Sequence, residues 1–334
     1  MQKLLNKIVC GDCIQVLSKV KKPFADLVFA DPPFNIGYKY DKYYDKRKHE
    51  NYIAWTREWM TACMKVLRPH GSFYIAIGDA YAANIKLIAD ELGLFMRNWI
   101  IWHYTFGQQM KKKFARSHTH IFYFVKDKKN FTFNDHAVRV LSDRQLFYND
   151  RRASSQGKMP NDVWKEFPRV CGTFKERAGW HPCQMPESLL KRIIAASSNP
   201  GDCVLDPFSG SGTTAAAAYQ LNRNFAAIEI SQDYVKNAIE RLRQLKEHPA
   251  GSSSFNSLEI SEVERLLRDI AVSAHQLIRS DKLIKLFTNQ FNVRMHNGKR
   301  YSTVAIIDEL QRLGCQPEQQ SRTVAELQHS LLFD

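Results

Sequence analysis

Apolar and polar positions along the first three quarters of this chain fall into blocks that read strand, helix, strand. Lys7-Ile-Val-Cys10 is a short strand, followed by a turn at Gly11-Asp12 and a short helix. Asp26-Leu-Val-Phe-Ala-Asp31 is a continuous apolar run of the kind buried on both faces of a sheet. Residues 50–68 carry helical spacing, with Tyr52, Trp55, Trp59 and Met60 on one stripe, and Arg68-Pro-His-Gly71 stops that helix. Ser72-Phe-Tyr-Ile-Ala-Ile77 is another buried strand. Residues 80–93 read as a helix ending at Gly93, and 95–104 and 119–126 as two strands, the second alternating at His120, Phe122 and Phe124. The pattern resumes with a helix at 186–197, a strand at 202–206, a helix at 212–221, a strand at 225–230 and a helix at 232–247. Strands alternating with helices predict an α/β fold with a doubly wound, mainly parallel sheet.

Three segments break this rhythm. Gly107–Ser117 is a basic loop that includes Lys111, Lys112, Lys113 and Arg116. Residues 127–180 are loop-rich and basic with interleaved aromatics, among them Arg139, Arg144, Arg151, Arg152, Trp164, Phe167, Arg169, Lys175 and Trp180. Residues 248–256 have linker composition. Residues 257–334 then form a small, mostly helical C-terminal domain, with Ile260, Val263, Leu266, Leu267 and Ile270 on one face. Asn297-Gly298 marks a turn before an amphipathic helix at 301–310. The domain plan is therefore 1–247, a linker, and 257–334.

Charge changes the picture. The net charge is +14, yet residues 249–334 hold 10 basic and 10 acidic groups, so the whole excess lies in residues 1–248. A basic body fits a polyanionic partner, most simply nucleic acid. No apolar run approaches the roughly 18 residues that span a bilayer. The N-terminus lacks a signal-peptide core, and 7 cysteines, an odd number, argue for a reducing interior. A cytoplasmic protein without a membrane partner is expected.

Two motifs carry chemistry. Asp31-Pro32-Pro33-Phe34 ends a buried strand with a carboxylate, two φ-restricted residues and an aromatic face. An exocyclic amine of adenine or cytosine is a poor nucleophile because its lone pair is delocalised into the ring. A fixed carboxylate and a backbone carbonyl that accept its two N–H bonds localise that pair, and Phe34 can stack on the ring. The base must first leave the duplex. The second motif, Asp206-Pro-Phe-Ser-Gly-Ser-Gly-Thr-Thr214, follows a strand and opens a helix. Gly210 and Gly212 permit a tight turn and close approach. Glu229 ends the next strand, where an acid commonly takes a ribose diol. The loop is neither G-x-G-x-x-G nor a Walker motif. The acid before its glycines disfavours pyrophosphate and suits a cationic or zwitterionic ligand such as S-adenosylmethionine.

Together these motifs resemble the β-class DNA amino-methyltransferases, which act on adenine N6 or cytosine N4. The resemblance covers about residues 7–247, with the catalytic motif before the cofactor motif. It implies a Rossmann-like methyltransferase sheet with circularly permuted motif order. Asp31, Pro32, Pro33 and Phe34 would bind and activate the target amine. Asp206, Phe208, Gly210, Gly212 and Thr213 would line the methionine end of S-adenosylmethionine, and Glu229 would take its ribose. Gly11-Asp12-Cys13 resembles the segment that meets the cofactor's adenine. His181-Pro-Cys-Gln-Met-Pro-Glu187 resembles the family's His-Pro-x-Gln-Lys-Pro segment, with Met185 in place of its lysine. Residues 127–180 fall where the family keeps its target-recognition region. Asp at position 31 resembles the adenine-modifying members more than the cytosine-modifying ones. The implied partner is duplex DNA, with a homodimer and a separate cognate restriction endonuclease as family traits. Competing readings are a cytosine-N4 enzyme of the same fold, an RNA methyltransferase and a non-catalytic DNA-binding module.

Other residues have blander readings. Cys10 and Cys13 have C-x-x-C spacing but no second pair for zinc, and are expected to be buried thiols. His118 and His120 are expected to be structural rather than metal ligands. Trp55 and Trp59 are expected in helix-to-sheet packing. Lys111, Lys112 and Lys113 suit phosphate contacts. Arg116, Arg151, Arg152 and Arg169 are further DNA-contact candidates, with arginine serving phosphate more often than base edges.

Overall fold

The computed structural model describes residues 4–41, 43–108, 111–148, 150–172, 176–247, 255–270, 272–295 and 299–314. In chain order the elements are β1 (Lys7–Cys10), α1 (Cys13–Ser18), β2 (Ala25–Ala30), α2 (His49–Val66), β3 (Leu67–Ile77), α3 (Asp79–Glu91), β4 (Phe95–Gln108) and β5 (Arg116–Val125). There follow α4 (Asp143–Leu146), β6 (Val163–Trp164), α5 (Glu187–Ser197), β7 (Cys203–Asp206), α6 (Thr213–Gln220), β8 (Asn224–Glu229) and α7 (Gln232–Glu247). Last come α8 (Ser257–Asp269), α9 (Ala274–Ile278), α10 (Asp281–Met295) and α11 (Thr303–Gly314). The linker residues 248–254, the Asn297-Gly298 turn, Lys175 and residues 315–334 lie outside the described residues.

By its internal contacts the chain divides into two units, residues 1–134 with 161–249, and residues 135–160 with 250–334. Among the described residues the first holds eight strands in one sheet of order β1-β8-β7-β2-β3-β5-β4-β6. The pairs β1–β8, β8–β7, β7–β2 and β2–β3 are parallel, while β5 runs antiparallel to both β3 and β4. The chain steps outward from β2 to β3 in one direction and from β7 to β8 in the other. The topological switch point therefore lies between β2 and β7, and the crevice at their carboxyl ends is where such sheets bind ligands. Arg68-Pro-His-Gly71, expected only to stop a helix, already forms the first part of β3.

All six residues of β2 are buried, as its unbroken apolar run requires. Val28, Phe73, Ile75, Phe122, Phe124, Leu205 and Ile228 pack with Trp59, Met60 and Val66 of α2 and Ile85 and Ile88 of α3. One acid interrupts this core at the amino end of β2. Asp26 accepts from the Cys203 amide at 2.9 Å and pairs with His70 at 3.1 Å and Arg68 at 3.4 Å. A buried carboxylate with these partners fixes the β2–β7 register, since a slip would strand its charge. Among the described residues no helix is long and apolar enough to cross a membrane.

The second unit packs α8, α9, α10 and α11 around Val263, Leu266, Leu277, Phe287, Phe291, Ile306 and Leu310. Residues 135–160 belong to it. The segment 127–180, expected as one insert in the sheet domain, is thus shared between the two units. Arg294 of α10 explains the local attachment: its Nε donates to the Arg139 carbonyl at 2.7 Å, while its other nitrogens reach Glu262 at 3.1 Å and Asp269 at 2.6 Å. The inserted segment closes on itself through paired Val140 and Lys158 amides at 2.9 and 2.8 Å.

Candidate active site

At the switch point the two sequence motifs meet. Val28 of β2 pairs with Leu205 of β7, so the strand tips that follow, Asp31 and Asp206, come out side by side. Both line a cavity of about 650 Å³ that also takes in Asp12, Cys13, Pro32, Pro33, Phe34, Phe208, Gly210, Thr213 and Glu229. Its volume falls within the range of cofactor pockets. Burial, with the negative charge of Asp206 adding to it, pushes the Asp31 carboxyl up to about 7. Asp206 is itself pushed up to about 7 by burial, against hydrogen bonds from Thr214 and the Phe208 amide, with Glu229 adding repulsion. Burial also raises Glu229, against hydrogen bonds from backbone amides, and the negative charge of Asp41 adds to this. Carboxylates gathered in one cavity with raised pKa values suit a cationic ligand, which would favour their charged forms.

The Asp-Pro-Pro-Phe turn is held from outside. The Tyr52 hydroxyl donates to the Pro33 carbonyl at 2.6 Å. That bond ties the turn to α2. Phe34 lies against Gly78, where a Cβ would come within 3.2 Å of its ring, so a larger residue there would push the ring aside by a few tenths of an ångström. Beyond it, Asn35 takes a left-handed φ of 57°. The Asp45 carboxylate accepts from the Asn35 and Ile36 amides at 2.7 and 3.1 Å and fixes that bend. Among the described residues the Asp31 carboxylate accepts no protein hydrogen bond, so its lone pairs face the cavity.

The glycine turn is braced equally closely. Gly210 has a φ of +49°, and a Cβ there would meet His181 Nε2 at 2.8 Å. Its amide donates to Glu229 Oε2 at 2.8 Å, and the Ser231 amide donates to Oε1 at 2.9 Å. Arg241 of α7 donates to the Ser211 carbonyl at 3.1 Å and to Thr213 Oγ1 at 3.0 Å, and is held in turn by Glu187 at 3.2 Å. Phe208 stands edge-on to Trp59 at 5.2 Å and to Trp55 at 5.7 Å. Trp59 is fully buried, while Trp55 reaches the cavity.

Gly212 departs from its expected place. It does not line the cavity; its Cβ position faces Ala238 of α7 at 2.9 Å, and its φ of +73° serves the turn into α6. Cys10 also departs: it is exposed, and only Cys13 of that pair is buried, its thiol pushed up to about 12 chiefly by burial. Cys10 closes an edge strand, where its thiol donates to the Ile230 carbonyl at 3.6 Å, and apolar patterning over four residues does not distinguish such a position.

The cavity has a second side, formed by Trp102, Tyr104, Arg116, His118, Thr119 and Arg169. Arg169 lies over the Tyr104 ring at 5.7 Å. Of the basic residues expected at DNA, Arg116 and Arg169 thus line the cavity. Lys111, Lys112 and Lys113 are exposed on the β4–β5 connection. Arg151 and Arg152 belong to the helical unit, where Arg152 forks onto Asp150 at 2.9 Å. Asp79, His118 and His120 place ligand atoms within 4.8 Å of one another. Trp99 Nε1 donates to His120 Nδ1 at 3.0 Å. That bond puts the His120 proton on Nε2, facing Asp79 at 3.0 Å, so this nitrogen has no lone pair for a metal.

Several functional-looking residues gave no sequence signal. Tyr52 stood out only as one position of an apolar helical stripe, and Arg241 sat unremarked on an amphipathic helix. Arg47, which lies over Trp55 at 4.8 Å and lines the cavity, stood in a basic loop among similar residues. Only three-dimensional proximity marks them.

A family model described as DNA methylase, for the N6/N4 class, matches residues 25–240. The DNA adenine methyltransferase YhdJ of Escherichia coli (strain K12) is 41% identical over 266 residues, covering 77% of this chain and 87% of that protein. The type II methyltransferase M.HpaI of Haemophilus parainfluenzae is 38% identical over 238 residues, covering 71% and 74%. Among solved structures, the cytosine-N4-specific PvuII DNA methyltransferase aligns with a TM-score of 0.55 at 18% identity, covering 79% of this chain and 93% of that one. The M1.HpyAVI–SAM complex aligns with a TM-score of 0.51 at 23% identity, covering 71% and 98%. At those identities the structural likenesses speak for the fold.

Proposed function

Because this chain belongs to the N6/N4 family of DNA methylases, we propose that it transfers a methyl group from S-adenosylmethionine to N6 of adenine in duplex DNA, at a short sequence, on a base turned out of the helix. The observation that carries the reading is the shared cavity of the Asp31 and Asp206 strand tips. S-adenosylmethionine brings a methyl group on a sulfonium, an electrophile that needs no further activation. The residues that would hold it are Asp12, Asp206, Phe208, Gly210, Thr213 and Glu229. Their fit rests on the raised pKa values of Asp206 and Glu229 and on the close backbone at Gly210.

The chain's own part is to position and polarise the amine. Ionised Asp31 accepts one N–H of the exocyclic amine, and the Pro32 carbonyl accepts the other. Both bonds strengthen as the nitrogen lone pair turns toward the methyl group, so they act mainly in the transition state. Phe34 stacks on the base, and Tyr52, by fixing the Pro33 carbonyl, keeps the turn from rotating. A carboxylate with a pKa near 7 is also a competent acceptor for the proton that the nitrogen sheds. Asp at position 31 and the 41% identity to a protein named as an adenine methyltransferase favour adenine over cytosine.

The same reading extends to a bacterial cytoplasmic setting, to pairing with a restriction endonuclease of matching specificity, and to a homodimer. Incubation with isotopically labelled methyl donor and DNA, followed by nucleoside analysis, tests the activity. N6-methyladenine is the expected product; N4-methylcytosine would move the chain to the other branch of the family, and no methylated nucleoside on any DNA would reject the proposal.

A further inference from the structure

Phe114 is 99% exposed, the most exposed large apolar residue among the described residues. A single exposed apolar residue is ordinary; its surroundings make this one informative. Lys111, Lys112 and Lys113 precede it, and residues 111–115 are all exposed. It stands on the connection between β4 and β5, whose strands carry Trp102, Tyr104, Arg116, His118 and Thr119 into the wall of the cavity. Only Ala115 separates Phe114 from Arg116, so the Phe114 backbone stands within about 7 Å of a residue that lines the cavity. A basic connection that attracts phosphate thus carries an unsupported aromatic ring beside the place where an extruded base would enter.

We infer that Phe114 is a wedge that enters the DNA stack at the position the target nucleotide leaves, while Lys111, Lys112 and Lys113 hold the flanking phosphates. This rests on the proposed activity and deepens it by naming the residue that keeps the base out. Proteins that bend or open DNA commonly insert such apolar side chains between bases. An extruded base otherwise returns to its stack and its partner, and a ring filling the gap removes that competitor. The ring makes no contacts that the fold needs, so it is free to exchange water for base faces.

The test compares wild type with Phe114→Ala and Phe114→Trp on the site mapped by sequencing DNA from cells that express the protein. Each enzyme is assayed on a normal duplex and on a duplex whose target base faces an abasic position. Phe114→Ala is expected to lose on the order of tenfold to a hundredfold in kcat/KM on the normal duplex and to recover to within about threefold of wild type on the unpaired target, because unpairing supplies what the wedge did. Phe114→Trp should stay near wild type on both. With 2-aminopurine at the target, the fluorescence rise on binding should be lost in Phe114→Ala and kept in Phe114→Trp. Equal impairment of Phe114→Ala on both duplexes, or no impairment on either, would overturn the wedge. A wild-type enzyme that methylates neither duplex removes the activity on which the wedge rests, and the wedge with it.

Discussion

Asp31 and Asp206 stand at the carboxyl tips of hydrogen-bonded neighbours, β2 and β7, and the charge of Asp206 helps to hold Asp31 protonated up to about pH 7. Far apart in sequence, the two acids share one cavity because the sheet reverses its winding between their strands. One faces the expected amine and the other the expected methyl donor. Their mutual repulsion is relieved by a proton on either acid or by a cation beside Asp206.

Donor binding should therefore be linked to protons. Asp206, on the donor's side, titrates near 7 in the free protein and ionises fully around a cation, so binding near pH 7 releases a proton. Affinity for S-adenosylmethionine should tighten from pH 6 to pH 8. Calorimetry in two buffers of different ionisation enthalpy reads the release. Proton uptake, or affinity flat across this range, would argue against the carboxylate cluster as the donor site.

The same acids should cost stability. The folded pKa of Asp31, about 7, lies above the roughly 3.9 of an unfolded aspartate. The folded state thus binds the proton more tightly, and this contribution is lost as pH rises from about 4 through about 7. Asp31→Asn should melt higher than wild type at pH 8, by about 2–4 °C for each kcal/mol relieved, and the gain should vanish near pH 4. A gain that persists at pH 4 would point to another cause.

Tyr52→Phe removes the hydroxyl that holds the Pro33 carbonyl, with little change in volume. A lost buried hydrogen bond costs about 1–3 kcal/mol. Methyl transfer should slow by about tenfold through misplacement of the turn, with donor affinity unchanged. Single-turnover rates and equilibrium binding separate the two. An unaltered rate would show that the turn needs no such brace.

Gly210→Ala places a methyl group 2.8 Å from the His181 ring at a φ of +49°. A left-handed alanine costs about 1 kcal/mol before the clash is counted. Donor affinity should fall by at least about tenfold, and Gly210→Ala/His181→Ala should recover part of the loss. Gly212→Ala should instead act mainly on stability, because its Cβ would press on Ala238 rather than enter the cavity. Thermal melting and donor titration of the two variants should sort them in opposite orders.

Much of this was legible from the chain alone. Buried parallel strands declare themselves by unbroken apolar runs, as Leu27–Ala30 does. The two motifs sit at strand ends because prolines and glycines cannot continue the ladder. What escaped was everything set by distant contact. The bond from Arg294 to the Arg139 carbonyl ties residues 135–160 to the helical unit, and no local pattern encodes it. Arg241 and Tyr52 brace the two halves of the site from helices whose spacing speaks only of burial. Gly212 looked identical to Gly210 in sequence, yet one meets a helix and the other a cavity, a difference fixed by how α7 packs.

The most direct test of the central claim is Asp31→Ala, assayed for N6-methyladenine formation and for S-adenosylmethionine affinity on the same preparation. Transfer should fall by on the order of a thousandfold or more while donor affinity stays within about threefold of wild type, since the carboxylate acts on the amine in the transition state. Transfer within tenfold of wild type, or a donor affinity lost along with it, would contradict the assignment of residue 31 to the nucleobase.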